Sequence, residues 1–161
     1  MQPRINLFNA SPDAIKPMYA IEAYLKNCGL EHSLLLLVKM RASQINGCAY
    51  CLDMHSKDAR AEGETEQRLY TLDAWRETPF YSPRERAALA WTEALTLIAE
   101  THAPDDVFAE LRPHFSDREI ADLTLAIGAI NAWNRFAIGF RVEVGTYQPA
   151  KREASGVVAR H

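Results

Sequence analysis

The sequence predicts an all-α fold, and three observations carry that prediction. Helix-opening signals recur along the chain, glycine and proline punctuation separates the segments they open, and no stretch reads as a convincing strand. The 161 residues match the size of one domain. A chain this long buries roughly two thirds of its unfolded surface, so it needs neither a metal nor disulfides to fold. We divide it into a helical domain, residues 1–147, and a tail, residues 148–161, which lacks an apolar period and is expected to be flexible.

About six to eight helices are expected. Ser11-Pro12-Asp13 places an N-cap, a first-turn proline and a first-turn acid in succession, opening a helix to about Cys28 with Gly29 as its stop. Glu31 to about Ile45 forms a second, whose run Leu34-Leu35-Leu36-Leu37-Val38 is apolar on several sides and therefore buried. Asn46-Gly47 breaks the pattern. A third helix starts near Gly47 or Cys48 and ends at Gly63, which suits a left-handed cap. A fourth spans Glu64 to Glu77. Ser82-Pro83-Arg84-Glu85 is a capping box with proline at the first position, opening a helix to about Glu100. Pro104 to Pro113 is a short helix. Ser116-Asp117-Arg118-Glu119 is a second capping box and opens a long apolar helix to about Val144. Gly128 and Gly139 inside it each cost ~1 kcal/mol against alanine, a cost that close helix packing would explain.

Composition narrows the class. The net charge of -3, with acids and bases interspersed, lacks the basic footprint of a nucleic-acid binder. Purely apolar runs such as Leu34 to Val38 reach only five residues, far short of the ~20 that span a bilayer. The start, Met1-Gln2-Pro3-Arg4, leads into no apolar export segment, so a cytoplasmic location is expected. In that compartment a close cysteine pair is catalytic or metal-binding more often than structural.

The chemically informative stretch is Gln44-Ile45-Asn46-Gly47-Cys48-Ala49-Tyr50-Cys51-Leu52-Asp53-Met54-His55. On a helix, at ~100° per residue, Cys48, Cys51 and His55 fall within ~60° of one another around the axis. That geometry suits a dithiol redox site. A thiolate, not a thiol, is the nucleophile, and a helix N-terminus or a nearby imidazolium lowers its pKa. Cys51 would attack a peroxide O–O bond and become a sulfenic acid, with His55 taking its proton or stabilising its thiolate. Cys48 would then condense with the sulfenic acid, giving a disulfide and water, and an external dithiol would reduce the pair. The competing readings are a catalytic zinc site built on Cys48, Cys51 and His55, and two merely buried cysteines.

Other residues read more plainly. Cys28 is a packing residue. His32, His102, His114 and His161 have no reactive partner nearby in sequence. Trp75, Trp91 and Trp133 belong to the core or to an interface. Glu93, within Ala90-Trp91-Thr92-Glu93-Ala94-Leu95, is an acid on a largely apolar helix and requires a partner, in an ion pair or in catalysis.

The segment Val38 to His55 resembles the core of the carboxymuconolactone decarboxylase/AhpD-like superfamily, and more narrowly its small single-domain alkylhydroperoxidase D-like members. The likeness continues through Glu66-Gln67-Arg68-Leu69-Tyr70, Trp75-Arg76, Ser82 to Ala94, and Ile130-Asn131-Ala132-Trp133-Asn134-Arg135, so that it covers about Leu30 to Arg141. The resemblance implies an AhpD-like helical fold assembled as a homo-oligomer, trimer or hexamer. It implies a thiol-dependent peroxidase that reduces organic hydroperoxides in antioxidant defence. No bound cofactor is expected beyond the redox-active cysteine pair. Its reductant would be an external dithiol, a lipoylated or thioredoxin-like protein. The family pattern assigns the peroxidatic role to Cys51, the resolving role to Cys48 and the proton relay to His55. Decarboxylases of the superfamily usually lack the cysteine pair.

Two departures stand out. Tyr50 lies between the cysteines where alkylhydroperoxidase D has histidine, and it becomes a candidate to orient the peroxide. The relay glutamate expected about a dozen residues before the first cysteine is replaced by Leu35-Leu36-Leu37. Glu93, with Glu85 behind it, is the candidate to supply that carboxylate. Readings outside the peroxidase class are a thiol–disulfide oxidoreductase or redox sensor, a decarboxylase-like lyase, and a zinc-binding interaction protein.

Overall fold

The computed structural model describes residues 2–149. Residues 150–161, which hold most of the expected tail and His161, lie outside them. Among the described residues the chain forms α1 (Leu7–Ala10), α2 (Pro12–Leu25), α3 (His32–Asn46), α4 (Ala49–Ala61), α5 (Glu66–Tyr70), a 3-10 turn (Leu72–Glu77), α6 (Pro83–Thr96), α7 (Ile98–Thr101), α8 (Asp105–Leu111) and α9 (Asp117–Phe140). No strand occurs among them. Six of these helices run seven residues or longer.

Both capping boxes form as the sequence dictates. The Ser82 and Ser116 hydroxyls accept from the Glu85 and Glu119 backbone N–H groups, and each glutamate reaches back to its cap. The boundaries differ where side chains compete for backbone partners. α2 stops three residues before Cys28, and the Asn27 amide donates to the Ala23 carbonyl, taking one of the acceptors left free at the helix end. The expected helix 64–77 is two pieces. Thr71 Oγ1 donates back to the Gln67 carbonyl, Ala74 is non-helical, and the break turns Leu72 and Trp75 into the core. α6 yields to α7 at Leu97, where the Thr101 hydroxyl takes the Ala94 carbonyl. α9 stops at Phe140 rather than Val144, because Arg141 turns left-handed and the Val142 N–H bonds back to the Ala137 carbonyl. α1 was not expected. It is a single turn capped by the Asn6 side chain.

α3 is the central helix and packs against α4, α6 and α9. Its leucine run is divided between two cores. Leu34, Leu35 and Val38 join Ala88, Trp91, Leu123 and Ile127, while Leu36, Leu37 and Met40 join Leu69, Leu72, Trp75 and Leu89. Cys28 packs into the first of these. A smaller third cluster contains Ala42, Cys48, Cys51, Ile130 and Ala137. α3, α4 and α9 therefore bring the dithiol segment into the interior. A Cβ built at Gly128 or Gly139 would meet no atom within 4 Å, so close packing within the chain does not explain either glycine. No helix among the described residues is long and apolar enough to cross a membrane.

Candidate active site

The site begins with the turn between α3 and α4. Gly47 ends α3 in the left-handed region, at φ +66°. The Cys48 N–H bonds back to the Ser43 carbonyl at 2.9 Å and the Gly47 N–H to the Gln44 carbonyl at 3.1 Å. This is the six-to-one and five-to-two pattern of a Schellman ending. Cys48 is also the N-cap of α4, so the same turn that closes one helix sets the first sulfur at the positive end of the next. Amides of α9, one buried and one partly buried, brace it. Asn46 Nδ2 donates to Asn131 Oδ1 at 2.9 Å and Asn134 Oδ1 at 2.8 Å, and Asn134 Nδ2 donates to Ser43 Oγ at 3.1 Å.

Cys48 and Cys51 are free thiols with their sulfurs 2.9 Å apart. The two thiols do not ionise alike. The Cys51 thiol beside it draws Cys48 down to about 7 against the opposing effect of burial, helped by the backbone N–H of Cys51 and the Asn134 amide. Cys48 Sγ closes no full capping bond, so the pull of the helix terminus is electrostatic. Cys51 is raised by the same contact and by burial. The first negative charge therefore rests on Cys48, and Cys51 keeps its proton.

The cysteines differ in what they face. A cavity of about 620 Å³ is lined by Tyr50, Cys51, Met54 and His55, but not by Cys48. Aromatic rings of Tyr19, Trp133, Phe136 and Phe140 form much of its other walls, and the segments Pro3–Phe8 and Val142–Thr146 contribute to its lining. The Arg4 backbone N–H and guanidinium tie the first of these segments to the Phe140 and Gly139 carbonyls. Trp133, expected in the core or an interface, is a cavity wall.

His55 lies one turn beyond Cys51 and is 6% exposed. Burial, with the Lys39 and His32 charges adding to it, pushes its pKa down to about 3. It is therefore a neutral imidazole at physiological pH and does not stabilise a thiolate as a resident cation. Tyr50 is raised by burial and by the Cys51 charge, so it keeps its hydroxyl proton at the cavity wall.

Glu93 is not brought to this site, which corrects its candidacy for the relay. It does not line the cavity. Oε1 accepts from Arg41 Nε and Trp75 Nε1, both at 2.8 Å, and Oε2 is taken by Arg76. It is a saturated ion-pair centre that ties α3 to α6. Glu85 is likewise occupied by its capping box and by Arg68.

Other carboxylates line the cavity. Glu22 accepts from Lys39 Nζ at 2.6 Å and from Trp133 Nε1 at 3.0 Å. Asp58 stands 3.9 Å from His55 Nδ1. Neither was singled out from the sequence, and helical spacing is the signal that puts each on a buried face. Glu22 falls seven residues after Ile15 and three before Leu25, both buried, and Asp58 follows Cys51 and His55 at i+7 and i+3. Among the described residues no group of three or more His, Cys, Asp or Glu side chains is arranged to hold a metal ion.

The family model described as the carboxymuconolactone decarboxylase family matches residues 12–94. The uncharacterized protein YdfG of Bacillus subtilis is 44% identical over 138 residues, which is 86% of this chain and 94% of that one. The crystal structure of a protein of unknown function from Agrobacterium tumefaciens, with a suggested role as an AhpD antioxidant defence protein, is 53% identical. It superposes with a TM-score of 0.87 over 91% of this chain and all of its own. The debrominase Bmp8 shares the fold at 19% identity, with a TM-score of 0.74 over 86% of this chain and 74% of that one. The chain belongs to the carboxymuconolactone decarboxylase family, and its all-helical fold is AhpD-like.

Proposed function

We propose that the protein is a thiol-dependent peroxidase that reduces organic hydroperoxides. One observation carries the reading: two free sulfurs lie 2.9 Å apart, and the second of them lines a largely apolar cavity beside a neutral histidine. A cavity of about 620 Å³ is in the range that encloses a sizeable organic molecule, far more than hydrogen peroxide requires. The AhpD-like relative at 53% identity supports the same class.

The chemistry follows from the division of labour between the sulfurs. The neutral dithiol gives one proton to His55 and becomes a monoanion. Transfer of the remaining proton from Cys51 to Cys48 puts the thiolate at the cavity wall. Cys51 attacks the terminal oxygen of the hydroperoxide, the O–O bond breaks, and the sulfenic acid forms as an alkoxide leaves. His55 returns its proton to that alkoxide, giving the alcohol. An imidazolium in so buried a setting is a strong acid and gives the proton up readily. The Cys48 thiol then displaces hydroxide from the sulfenic acid, which departs as water, and a disulfide remains. An external dithiol, lipoylated or thioredoxin-like, restores both thiols by exchange.

The test is steady-state consumption of cumene hydroperoxide with dihydrolipoamide, thioredoxin and glutathione as competing reductants. A dithiol is expected to sustain turnover, and turnover is expected to vanish in Cys51→Ser. Turnover that persists in that variant would overturn the reading. The aromatic cavity wall favours one second reading, dehalogenation of a small ring: the debrominase Bmp8 shares the fold, and a cysteine-to-alanine variant of it is known in complex with 2,3,4-tribromopyrrole. Bromide release from a bromopyrrole, with no hydroperoxide consumption, would select it.

A further inference from the structure

His55 Nδ1 is fully buried and has no hydrogen-bond partner. An orphaned ring nitrogen in a site of this kind calls for an explanation. Among the described residues the carboxylate beside it is Asp58, whose Oδ2 lies 3.9 Å away, about 1 Å beyond hydrogen-bonding distance. Asp58 is itself held. Its Oδ1 accepts from the Tyr147 hydroxyl at 2.6 Å. The Tyr147 carbonyl in turn accepts from Lys57 Nζ at 3.0 Å, and Lys57 pairs with Asp53 at 2.9 Å. Two neighbouring residues of α4 thus grip one residue of the segment that follows α9. Val142 and Thr146 of that segment line the cavity.

The other elements around His55 offer no equivalent partner. α3 presents Lys39 and His32, which oppose a proton on the ring. Glu22 of α2 is occupied by Lys39 and Trp133, and α9 contributes uncharged Trp133, Phe136 and Ala137. Glu143 lines the cavity without an ion pair to His55.

We propose that Asp58, held by Tyr147, is the positioning residue of His55. A side-chain shift of about 1 Å closes the 3.9 Å gap, so that Asp58 accepts a hydrogen bond from Nδ1–H, fixes that tautomer and leaves Nε2 as the proton-accepting nitrogen. This supplies the carboxylate that Leu35-Leu36-Leu37 does not. A carboxylate on the far nitrogen also stabilises the transient imidazolium, so it makes an otherwise weak base competent for one proton transfer. The segment after α9 becomes part of the site, because Tyr147 sets where Asp58 stands. The kinetic consequence rests on the peroxidase reading, whereas the tautomer does not.

The test therefore has two arms. Nitrogen-15 NMR of the His55 ring in the full chain is expected to show the Nδ1–H tautomer in the wild type and a mixture in Asp58→Ala. In parallel, the pH profile of the reaction with cumene hydroperoxide is expected to fall about 10–100-fold in Asp58→Ala. Asp58→Glu should recover part of that loss. Tyr147→Phe, which keeps the ring and removes one hydrogen bond, should lose about 3–10-fold. An Nε2–H tautomer in the wild type would overturn the proposal, as would a tautomer unchanged by Asp58→Ala. Should Asp58→Ala fail to fold, an unchanged tautomer and an unchanged pH profile in Tyr147→Phe would overturn the holding role and with it the proposal. A correct tautomer in a protein that consumes no hydroperoxide would sustain the positioning and defeat the peroxidase reading.

Discussion

Removing one sulfur should move the other's titration. Cys48 owes its low pKa first to the Cys51 thiol 2.9 Å away, with burial working against it. Cys51→Ala deletes that donor and leaves burial in place, so Cys48 should rise from about 7 to at least the ordinary thiol range. At pH 7 the wild-type pair is then about half monoanion, whereas the variant retains about 1–3% thiolate. That is a loss on the order of 20–50-fold in reactive anion at neutral pH. The assay is ultraviolet thiolate absorbance against pH, with Cys28 removed by difference between proteins. The wild type should show one proton lost near 7 and the second far up the scale, because Cys51 is raised by its hydrogen bond to Cys48, by burial and by the negative charge next to it. The reciprocal variant, Cys48→Ala, should bring Cys51 down from that raised position. If Cys51→Ala still titrates near 7, the S–H···S contact is not the source of the shift. The helix terminus alone would then have to account for it.

Three further outcomes follow. His55 has a folded pKa of about 3 against about 6.5 when unfolded, so below pH 6.5 the unfolded chain takes up a proton that the folded one does not. Folding stability should fall as pH drops through that window, by up to roughly 5 kcal/mol as a ceiling, and His55→Gln should flatten the dependence in denaturant melts. Gly47→Ala should cost about 1–2 kcal/mol in the same melts. A Cβ there meets no atom within 4 Å, so the cost is backbone strain, and Gly47→Asn, which tolerates the left-handed region, should cost less. Glu93→Gln should destabilise by about 1–3 kcal/mol through loss of the charge that Arg41 and Arg76 meet, and it should leave the dithiol titration unchanged. A shifted thiol titration in that variant would restore Glu93 to the relay.

The parts of the fold that short-range chemistry determines were legible in the sequence. Ser82-Pro83-Arg84-Glu85 and Ser116-Asp117-Arg118-Glu119 open helices because the cap hydroxyl and the third-position glutamate satisfy each other's backbone groups, and no distant partner is needed. Asn46-Gly47 and the sulfur spacing set the dithiol geometry on the same local grounds. What the sequence hid depends on distant partners. The break at Thr71 serves the burial of Leu72 and Trp75 against α3 and α6, which no window along the chain reveals. Glu93 and Glu22 are both acids on apolar helix faces, and sequence alone cannot say which meets arginines and which meets the cavity. Glu93 is answered by Arg41 and Arg76, Glu22 by Lys39 and Trp133. Tyr147 lies 89 residues from the aspartate it binds, in a stretch without periodicity, so only the folded chain discloses the contact.

The most direct measurement is a single-turnover thiol titration of the reduced protein with one equivalent of cumene hydroperoxide and no reductant. The account predicts that two of the three free thiols disappear, that the Cys48 and Cys51 peptides are found joined by a disulfide, and that Cys28 stays free. Three thiols surviving the hydroperoxide, or thiols lost without a Cys48–Cys51 disulfide, would contradict it.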